Sequence, residues 1–587
     1  MQVKLSILIV ITIAVYANSL SGPLVLDDLV TIADNASIRD LGSIAATLQP
    51  EREQPTAGRP LANLSFAINY ALGGLSVQGY HVVNLLLHVL CVVMLWLLLE
   101  QVRLRQVFRE TGEGLPFAIA LIWAVHPLNS EVVNYLTQRT ESLMALCYLA
   151  TLYASVRALD GDRTRWMAAA VAACALGVGM KESIVTAPVM VVLLDRLVVF
   201  DSWQAAWRER RGLYAGLFAS WMLVAATVAT GPRIRSAGFS AGVDLWTWLL
   251  NQAQMITQYL WLTLWPRPLV VYYGWPQPLT LGDVLPHALL VVAIIAATVA
   301  ALRYDRRLGF LGAWFFATLA PTSSFVPIAT EVGAERRMYL PLIALLVLFV
   351  GVIWRAVPRA AARQGLLAGL VILLGVTTFA RNGEYADTLT LARVTNERWP
   401  SPQSHHMLGE QLIKAGRREE GIAELQEATR TGAPRAHFSL GEQFFAEGRL
   451  DAAIAEFRGF IDKQPLLLEV PQAHLLLARS YARQQRWEEA AVEARLAIDK
   501  AQNNPEARLV YAEILFNQEK VAEATQAYAS YLQLRPADAD AYTKLGVLLM
   551  TAGRTQEGVA AFRRALDLDP GNADRRRNLE TALADAR

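Results

Sequence analysis

His81-Val-Val-Asn-Leu-Leu-Leu-His-Val-Leu-Cys-Val-Val-Met-Leu-Trp-Leu-Leu-Leu-Glu100 is an almost unbroken apolar run. Roughly 20 such residues are what a helix needs to cross the hydrocarbon of a bilayer. His81, Asn84 and His88 recur at helical spacing at its head, where polar groups face protein or a cavity; helix packing or a site would each explain them. Outward from this run, apolar segments lie at about 4–20, 115–130, 136–157, 166–180, 183–200, 212–230, 246–265, 284–302, 308–322, 338–354 and 365–380. The 587-residue chain is 54% hydrophobic with a mean hydropathy of +0.29, high for a soluble protein. A formal net charge of +2 offers no case for a nucleic-acid partner. Cys91, Cys147 and Cys174 all lie in apolar runs and read as small core residues, with no disulfide framework.

Lys4 followed by the run Leu5 to Ala17 can be a signal peptide ending at Val15-Tyr16-Ala17, or an uncleaved first helix. The many later spans favour the helix. Basic clusters occur at Arg103/Arg105/Arg109, Arg157/Arg163/Arg165, Arg208/Arg210/Arg211, Arg303/Arg306/Arg307 and Arg355/Arg359/Arg363. With Lys4 inside, all of them fall inside, as short loops require, only if 246–265 does not cross. That segment carries Asn251, Gln252, Gln254, Thr257 and Gln258, and a polar-studded helix can dip in and return where protein surrounds it. The expectation is eleven crossings and one re-entrant or interfacial helix, with the C-terminal half outside the cytoplasm.

The outer loops then collect the chemistry: Asp27-Asp28, Arg59-Pro60, His126-Pro127 with Glu131, Lys181-Glu182, Tyr272-Tyr273, and Glu335-Arg336-Arg337 with Tyr339. An acidic pair at a membrane face can be a general base, a metal ligand, or simply the end of a helix. Arg59 can bind an anion or touch lipid phosphate. Arg139, entering a span, calls for a carboxylate partner (Glu131 or Glu141) or a phosphate. His126 and Glu131 are at most a weak metal pair. Lys181 and Glu182 read by default as a mutual ion pair. Arg336 and Arg337 break the positive-inside bias, and with Tyr339 they suit a phosphate, which guanidinium binds bidentately.

From residue 402 a pattern recurs with a period near 34: Leu408-Gly409, Leu440-Gly441, Leu477-Ala478, Tyr511-Ala512 and Leu545-Gly546. Gly421, Ala453, Ala490, Ala524 and Gly558 follow as small residues, and Pro465, Pro536 and Pro570 close three units. This is a tetratricopeptide signature of five units. Asp574 to Ala586 reads as a capping helix. The fold class is therefore all-α: residues 1–380 a polytopic membrane bundle, 381–401 a connector, 402–570 the repeat solenoid and 571–587 its cap. Arg435, His437, Gln443, Gln472, Arg479, Arg508 and Tyr542 are expected on its concave face, a mixture suited to an extended peptide acceptor; His405-His406 reads as a solvated face.

These stretches resemble the transmembrane-and-tetratricopeptide-repeat O-mannosyltransferases, membrane glycosyltransferases with a GT-C fold. The matching pieces are Leu26-Asp27-Asp28, Arg59-Pro60-Leu61 with Asn69-Tyr70, Gly79-Tyr80-His81 with Asn84 and His88, Ala124-Val125-His126-Pro127 with Glu131 and Arg139, Lys181-Glu182, and Glu335-Arg336 with Tyr339 and Pro341. The resemblance implies a polyprenyl-phosphate sugar donor and an acidic base in the first outer loop, Asp27 before Asp28. Where that family has Gly-Arg ahead of the fourth span, this chain has Gln138-Arg139. An acceptor hydroxyl must lose its proton as it attacks C1, general-base work for a carboxylate. The leaving phosphate needs fixed cations, for which Arg59, His126, Arg139, Lys181, Arg336 and Arg337 are the candidates, with Glu131, Glu182, Glu335 and Tyr339 supporting. No metal or other cofactor is required. Composition suggests a bacterial inner-membrane member. The contrasting expectation is an inactive, membrane-anchored repeat scaffold; a third is a polysaccharide ligase or flippase of the same shape.

Overall fold

The computed structural model describes every residue except 53, 105–113, 231–237, 239–241, 464–468 and 587; Arg105, Arg109 and Pro465 thus lie outside the described residues. The chain divides into two compact units, Met1–Ser404 and His405–Arg587. Both are helical, with no strand among the described residues.

In the first unit the principal helices are α1 (Gln2–Val15), α2 (Pro60–Gly73), α3 (Val77–Arg103), α4 (Leu115–Ala124), α5 (Arg139–Arg157), α6 (Arg163–Val178), α7 (Ala187–Leu194), α8 (Trp203–Ala229), α9 (Leu245–Leu264), α10 (Leu281–Tyr304), α11 (Arg306–Ser323), α12 (Pro341–Ala356), α13 (Ala360–Glu384) and α14 (Thr388–Arg398). Every apolar segment of the sequence contains one of them. Among the described residues α3, α8, α10 and α13 are individually long and apolar enough to cross a bilayer. Leu115–Ala124 and Pro127–Asn134 make a fifth candidate, bent by 53°; Pro127 removes a backbone donor at the bend.

The polar face of α9 has a structural explanation. Asn251 donates to the Gln277 carbonyl (2.7 Å) and Gln252 to that of Val332 (2.9 Å). The Tyr259 hydroxyl accepts the Ala334 N–H (2.8 Å), and the Thr263 carbonyl meets His126 Nε2 (3.1 Å). Both halves of the helix are therefore bonded to loop backbone or to His126. Its polar side chains pair loop backbone that would otherwise be buried unsatisfied. Trp246, Trp261 and Trp265 are exposed, as aromatic residues are at a membrane interface.

At the opposite ends of the helices one arginine of the basic clusters is not solvated. Arg210 is fully buried, 3.0 Å from Asp195, which also accepts the Tyr214 hydroxyl at 2.9 Å. In the core, Tyr339 hydrogen-bonds His88 Nδ1 (2.7 Å) and its carbonyl accepts the Trp123 indole N–H (3.0 Å). Polar handles on large rings in this way fix which ring faces which.

The second unit, with the start of its first helix, is a run of helix pairs: Pro402–Lys414 with Arg418–Thr431, Pro434–Ala446 with Leu450–Lys463, Val470–Arg483 with Trp487–Lys500, Pro505–Asn517 with Val521–Leu534, and Ala539–Thr551 with Thr555–Leu568. A last helix, Ala573–Asp585, follows. Small residues let the pairs close: a Cβ at Gly441 would sit 2.6 Å from Phe457, and one at Gly546 2.8 Å from Phe562. The turn inside each pair takes a left-handed residue, Gly416, Gly448, Gln485, Glu519 or Gly553.

Candidate active site

The two adjacent aspartates of the loop after α1 have opposite environments. Asp28 is fully buried and accepts the backbone N–H groups of Val25 (3.1 Å), Leu136 (3.3 Å) and Thr137 (2.7 Å), and the Thr137 hydroxyl (2.7 Å). Burial pushes its carboxyl up to about 7, against the pull of those hydrogen bonds. It ties the loop to residues 135–137. Asp27 is exposed, and its N–H donates to the Tyr135 hydroxyl at 3.0 Å. Leu26, immediately before the pair, takes a left-handed conformation at φ +47°.

Tyr135 connects this loop to the arginine pair. The Arg336 guanidinium lies over its ring at 6.0 Å. Glu131, fully buried, accepts the Arg336 backbone N–H at 2.8 Å and Nη1 at 2.5 Å, while Glu331 accepts Nη2 at 2.5 Å. Arg337 does not face the opening: it donates to the carbonyls of Thr322 (3.0 Å), Val332 (3.2 Å) and Glu331 (2.9 Å). Glu335 Oε1 accepts the Val270 N–H at 2.5 Å, and burial pushes this carboxyl up to about 8, with Arg381 opposing. Arg381, 3.7 Å from Glu335, also pairs with Glu384, which accepts Arg398 at 2.7 Å. Glu331, Arg381, Glu384 and Arg398 did not emerge from the sequence reading. The available signal was an arginine, Arg381, in the last turn of the apolar helix α13.

A second cluster joins α2, α5 and the start of the 182–199 segment. Arg59 grips Glu182 bidentately, Nη2 to Oε1 at 2.9 Å and Nε to Oε2 at 3.2 Å. Lys181 pairs with Glu141 rather than with its neighbour, because an extended backbone at Lys181 (φ −163°) points successive side chains apart. Burial pulls the Lys181 ammonium below its usual range; Glu141 opposes this, while Arg59 and Arg336 add to it. The Lys181 ammonium therefore feels the charges of both Arg59 and Arg336.

Further expectations are corrected. Among the described residues neither Glu131 nor Glu141 nor any other carboxylate pairs with Arg139: its guanidinium donates to Asn84 Oδ1 (2.8 Å), Asn69 Oδ1 (2.8 Å) and the carbonyls of Tyr80 (3.1 Å) and Ser65 (3.2 Å), and lies over Phe66 at 4.5 Å. Oxygen dipoles from two helices, α2 and α3, take the place of an anion. His126 is buried rather than near the surface, with Nδ1 accepting the Leu128 N–H (3.3 Å) and Nε2 on Thr263, so neither nitrogen is offered to a phosphate or to a metal shared with Glu131. Tyr339 points into the core toward His88 instead of the opening.

On the repeats, His405, His437 and His474 form one device. Each Nδ1 meets a glutamate nineteen residues on, Glu424, Glu456 and Glu493, at 2.6, 2.6 and 2.7 Å. They occupy the crevice within each helix pair, so His405 is not a solvated face and His437 is not offered to an acceptor; His406 likewise meets Ser439 Oγ at 3.0 Å. Arg435 pairs with Glu469 (3.0 Å), Arg479 with Glu506 (2.7 Å), and Arg508 with Ser530 (2.6 Å). Gln443, Gln472 and Tyr542 are half-buried.

Residues 54–229 match the family of dolichyl-phosphate-mannose-protein mannosyltransferases, and stretches between 406 and 573 match the tetratricopeptide repeat. Over 181 residues the chain is 31% identical to protein O-mannosyl-transferase Tmtc3 of Drosophila melanogaster, covering 26% of this chain and 19% of that one. Over 154 residues it is 30% identical to protein O-mannosyl-transferase TMTC1 of Homo sapiens, covering 25% and 17%. The chain thus spans about a fifth of the length of these relatives. A solved tetratricopeptide protein with an unusual peptide-binding site, YrrB, aligns with 31% of this chain and 92% of its own, at 18% identity and a TM-score of 0.29. Arg59, His126, Glu131, Arg139, Lys181 and Glu182 fall within the matched membrane stretch, whereas Asp27 and Arg336 lie outside it.

Proposed function

We propose that this chain, similar to the transmembrane-and-tetratricopeptide-repeat O-mannosyltransferases, is an integral-membrane transferase. It moves a mannose-like sugar from a polyprenyl-phosphate donor to hydroxyl groups of extracytoplasmic proteins. The observation that carries this reading is that one residue, Tyr135, meets both: its hydroxyl accepts the backbone N–H of the exposed Asp27, and its ring lies 6.0 Å from the Arg336 guanidinium. A base and an anion-binding cation thus share one loop cluster.

Asp27 takes the proton of the acceptor hydroxyl as its oxygen attacks C1 of the sugar. The C1–O bond to phosphate breaks with its electron pair going to the phosphate oxygen, where charge builds. Arg336, with Arg59 and Lys181 in the same field, stabilises that charge. A single displacement inverts the anomeric centre. A phosphate leaving group held by fixed cations needs no metal and no other cofactor.

The same reading sets eleven crossings, with α9 lying along the outer side. Its hydrogen bonds to loop backbone and to His126 support this. With Lys4 inside, the repeats follow on the extracytoplasmic side, where they would hold a polypeptide acceptor. A bacterial inner membrane is the setting this reading proposes. Purified protein in liposomes, given polyprenyl-phosphate mannose and an acceptor polypeptide, should form an acid-stable mannosyl product; no product from either polyprenyl or dolichyl donors contradicts the reading.

A further inference from the structure

The two carboxylates that hold Arg336 are not equivalent. Glu131 is fully buried and fixed twice, by the Arg336 backbone N–H and by Nη1. The Glu331 carboxylate has side-chain donors only, Arg336 Nη2 at 2.5 Å and Arg337 Nη2 at 3.4 Å. Its side chain is 13% exposed and that of Arg336 15%, against 0% for Glu131 and 3% for Arg337. The cluster therefore opens to solvent at the Glu331–Arg336 contact.

The backbone beneath Glu331 is held independently. Its carbonyl accepts Arg337 Nη2 at 2.9 Å, the Val332 N–H donates to the Gly274 carbonyl at 2.8 Å, and the Val332 carbonyl accepts Gln252 at 2.9 Å. A rotation of the Glu331 side chain alone would free Nη2 while Glu131 still fixes the arginine.

We propose that Glu331 occupies the seat of the donor's phosphate in the free protein, and that donor binding exchanges its carboxylate for a phosphate oxygen on Arg336 Nη2. This rests on the transferase reading above. The exchange conserves charge: a polyprenyl phosphate ester of a sugar carries one negative charge, as does the glutamate it replaces. The seat then favours the product side of the reaction, because the phosphate gains a second charge as the sugar leaves, and a guanidinium fork binds the more charged anion more strongly. An empty seat would leave Arg336 with an unpaired, largely buried guanidinium edge, and Glu331 prevents that.

The test is binding of a polyprenyl monophosphate, in detergent micelles, to the full-length chain and to Glu331→Gln. Removing the competing charge should tighten binding on the order of tenfold, since a seat freed of its internal occupant no longer lowers the apparent affinity. Equal or weaker binding by the variant overturns the exchange. A second readout uses the unaltered protein: carbodiimide labelling of Glu331, followed by mass spectrometry, should rise when the polyprenyl phosphate is added. Unchanged or reduced labelling overturns it without requiring the variant to fold. Labelling that rises with inorganic phosphate but not with the lipid phosphate overturns the lipid assignment. A polyprenol without phosphate binding the unaltered protein as tightly as the phosphate ester overturns the transferase reading itself, and the exchange with it.

Discussion

Asp28 accepts both the backbone N–H and the hydroxyl of Thr137 at 2.7 Å, a contact that joins the loop after α1 to the segment ahead of α5. Its neighbour Asp27 is left exposed at the surface that this contact creates. One aspartate is buried in the contact and the other lies at the surface beside it.

Asp28→Asn places an amide nitrogen where only donors point, so the membrane unit should lose about 1–3 kcal/mol of stability. The wild-type chain should also show a pH signature. Burial pushes its Asp28 carboxyl up from 3.8 to about 7, so the folded state holds that proton more tightly than the unfolded chain. The stability this contributes is fully present below the unfolded value and is lost as pH rises through 7. Glu335, raised to about 8, acts with the same sign. The midpoint of thermal unfolding in detergent should fall from pH 5 to pH 8, less steeply in Asp28→Asn than in wild type; a midpoint that climbs across that range contradicts the assignment.

Arg336→Lys keeps the charge but loses the planar fork that spans Glu131 and Glu331. Donor transfer should fall at least tenfold while the protein still accumulates in membranes at normal levels, as judged by immunoblot. Activity within twofold of wild type would remove Arg336 from the phosphate-binding role.

Gln485 and Glu519 take the left-handed turn that Gly416, Gly448 and Gly553 take in the other helix pairs, at φ +61° and +57°. A side chain in that region costs roughly 1–2 kcal/mol, partly offset by the greater unfolded-state freedom of glycine. Gln485→Gly and Glu519→Gly should each raise the chemical-denaturation midpoint of the repeat unit. A lowered midpoint in both would mean that their side chains make contacts worth more than the strain.

Reporter fusions test the eleven crossings. Fusions after Tyr80 and after Gly432 should score as extracytoplasmic and one near Arg306 as cytoplasmic. A cytoplasmic score at Gly432 means that α9 crosses, which its bonds to Gln277, Val332 and His126 argue against.

The repeats were legible because their signal is periodic: Gly441 and Gly546 must be small for helices to touch, and this shows in any one chain. The polar studding of Asn251 and Gln252 likewise announced a helix unlike the spans. Partner choice was not legible. Arg139 is neutralised by Asn69, Asn84 and two carbonyls brought from α2 and α3, and carbonyl oxygens leave no mark in sequence. Lys181 and Glu182 looked like a pair because they are adjacent, yet each finds a partner from another element once the backbone is extended between them. Glu331 and Arg381 sit in stretches without a motif, and only the folded loop shows what they hold.

The central claim is that Asp27 is the base and Asp28 is not. It is tested most directly by sugar transfer from polyprenyl-phosphate mannose to an acceptor polypeptide, using purified wild type and Asp27→Asn in liposomes. Wild type should transfer, and Asp27→Asn should fall by about 10²–10⁴-fold, the usual range for a lost general base, with its unfolding midpoint unchanged. Transfer by Asp27→Asn at the wild-type rate would contradict the account.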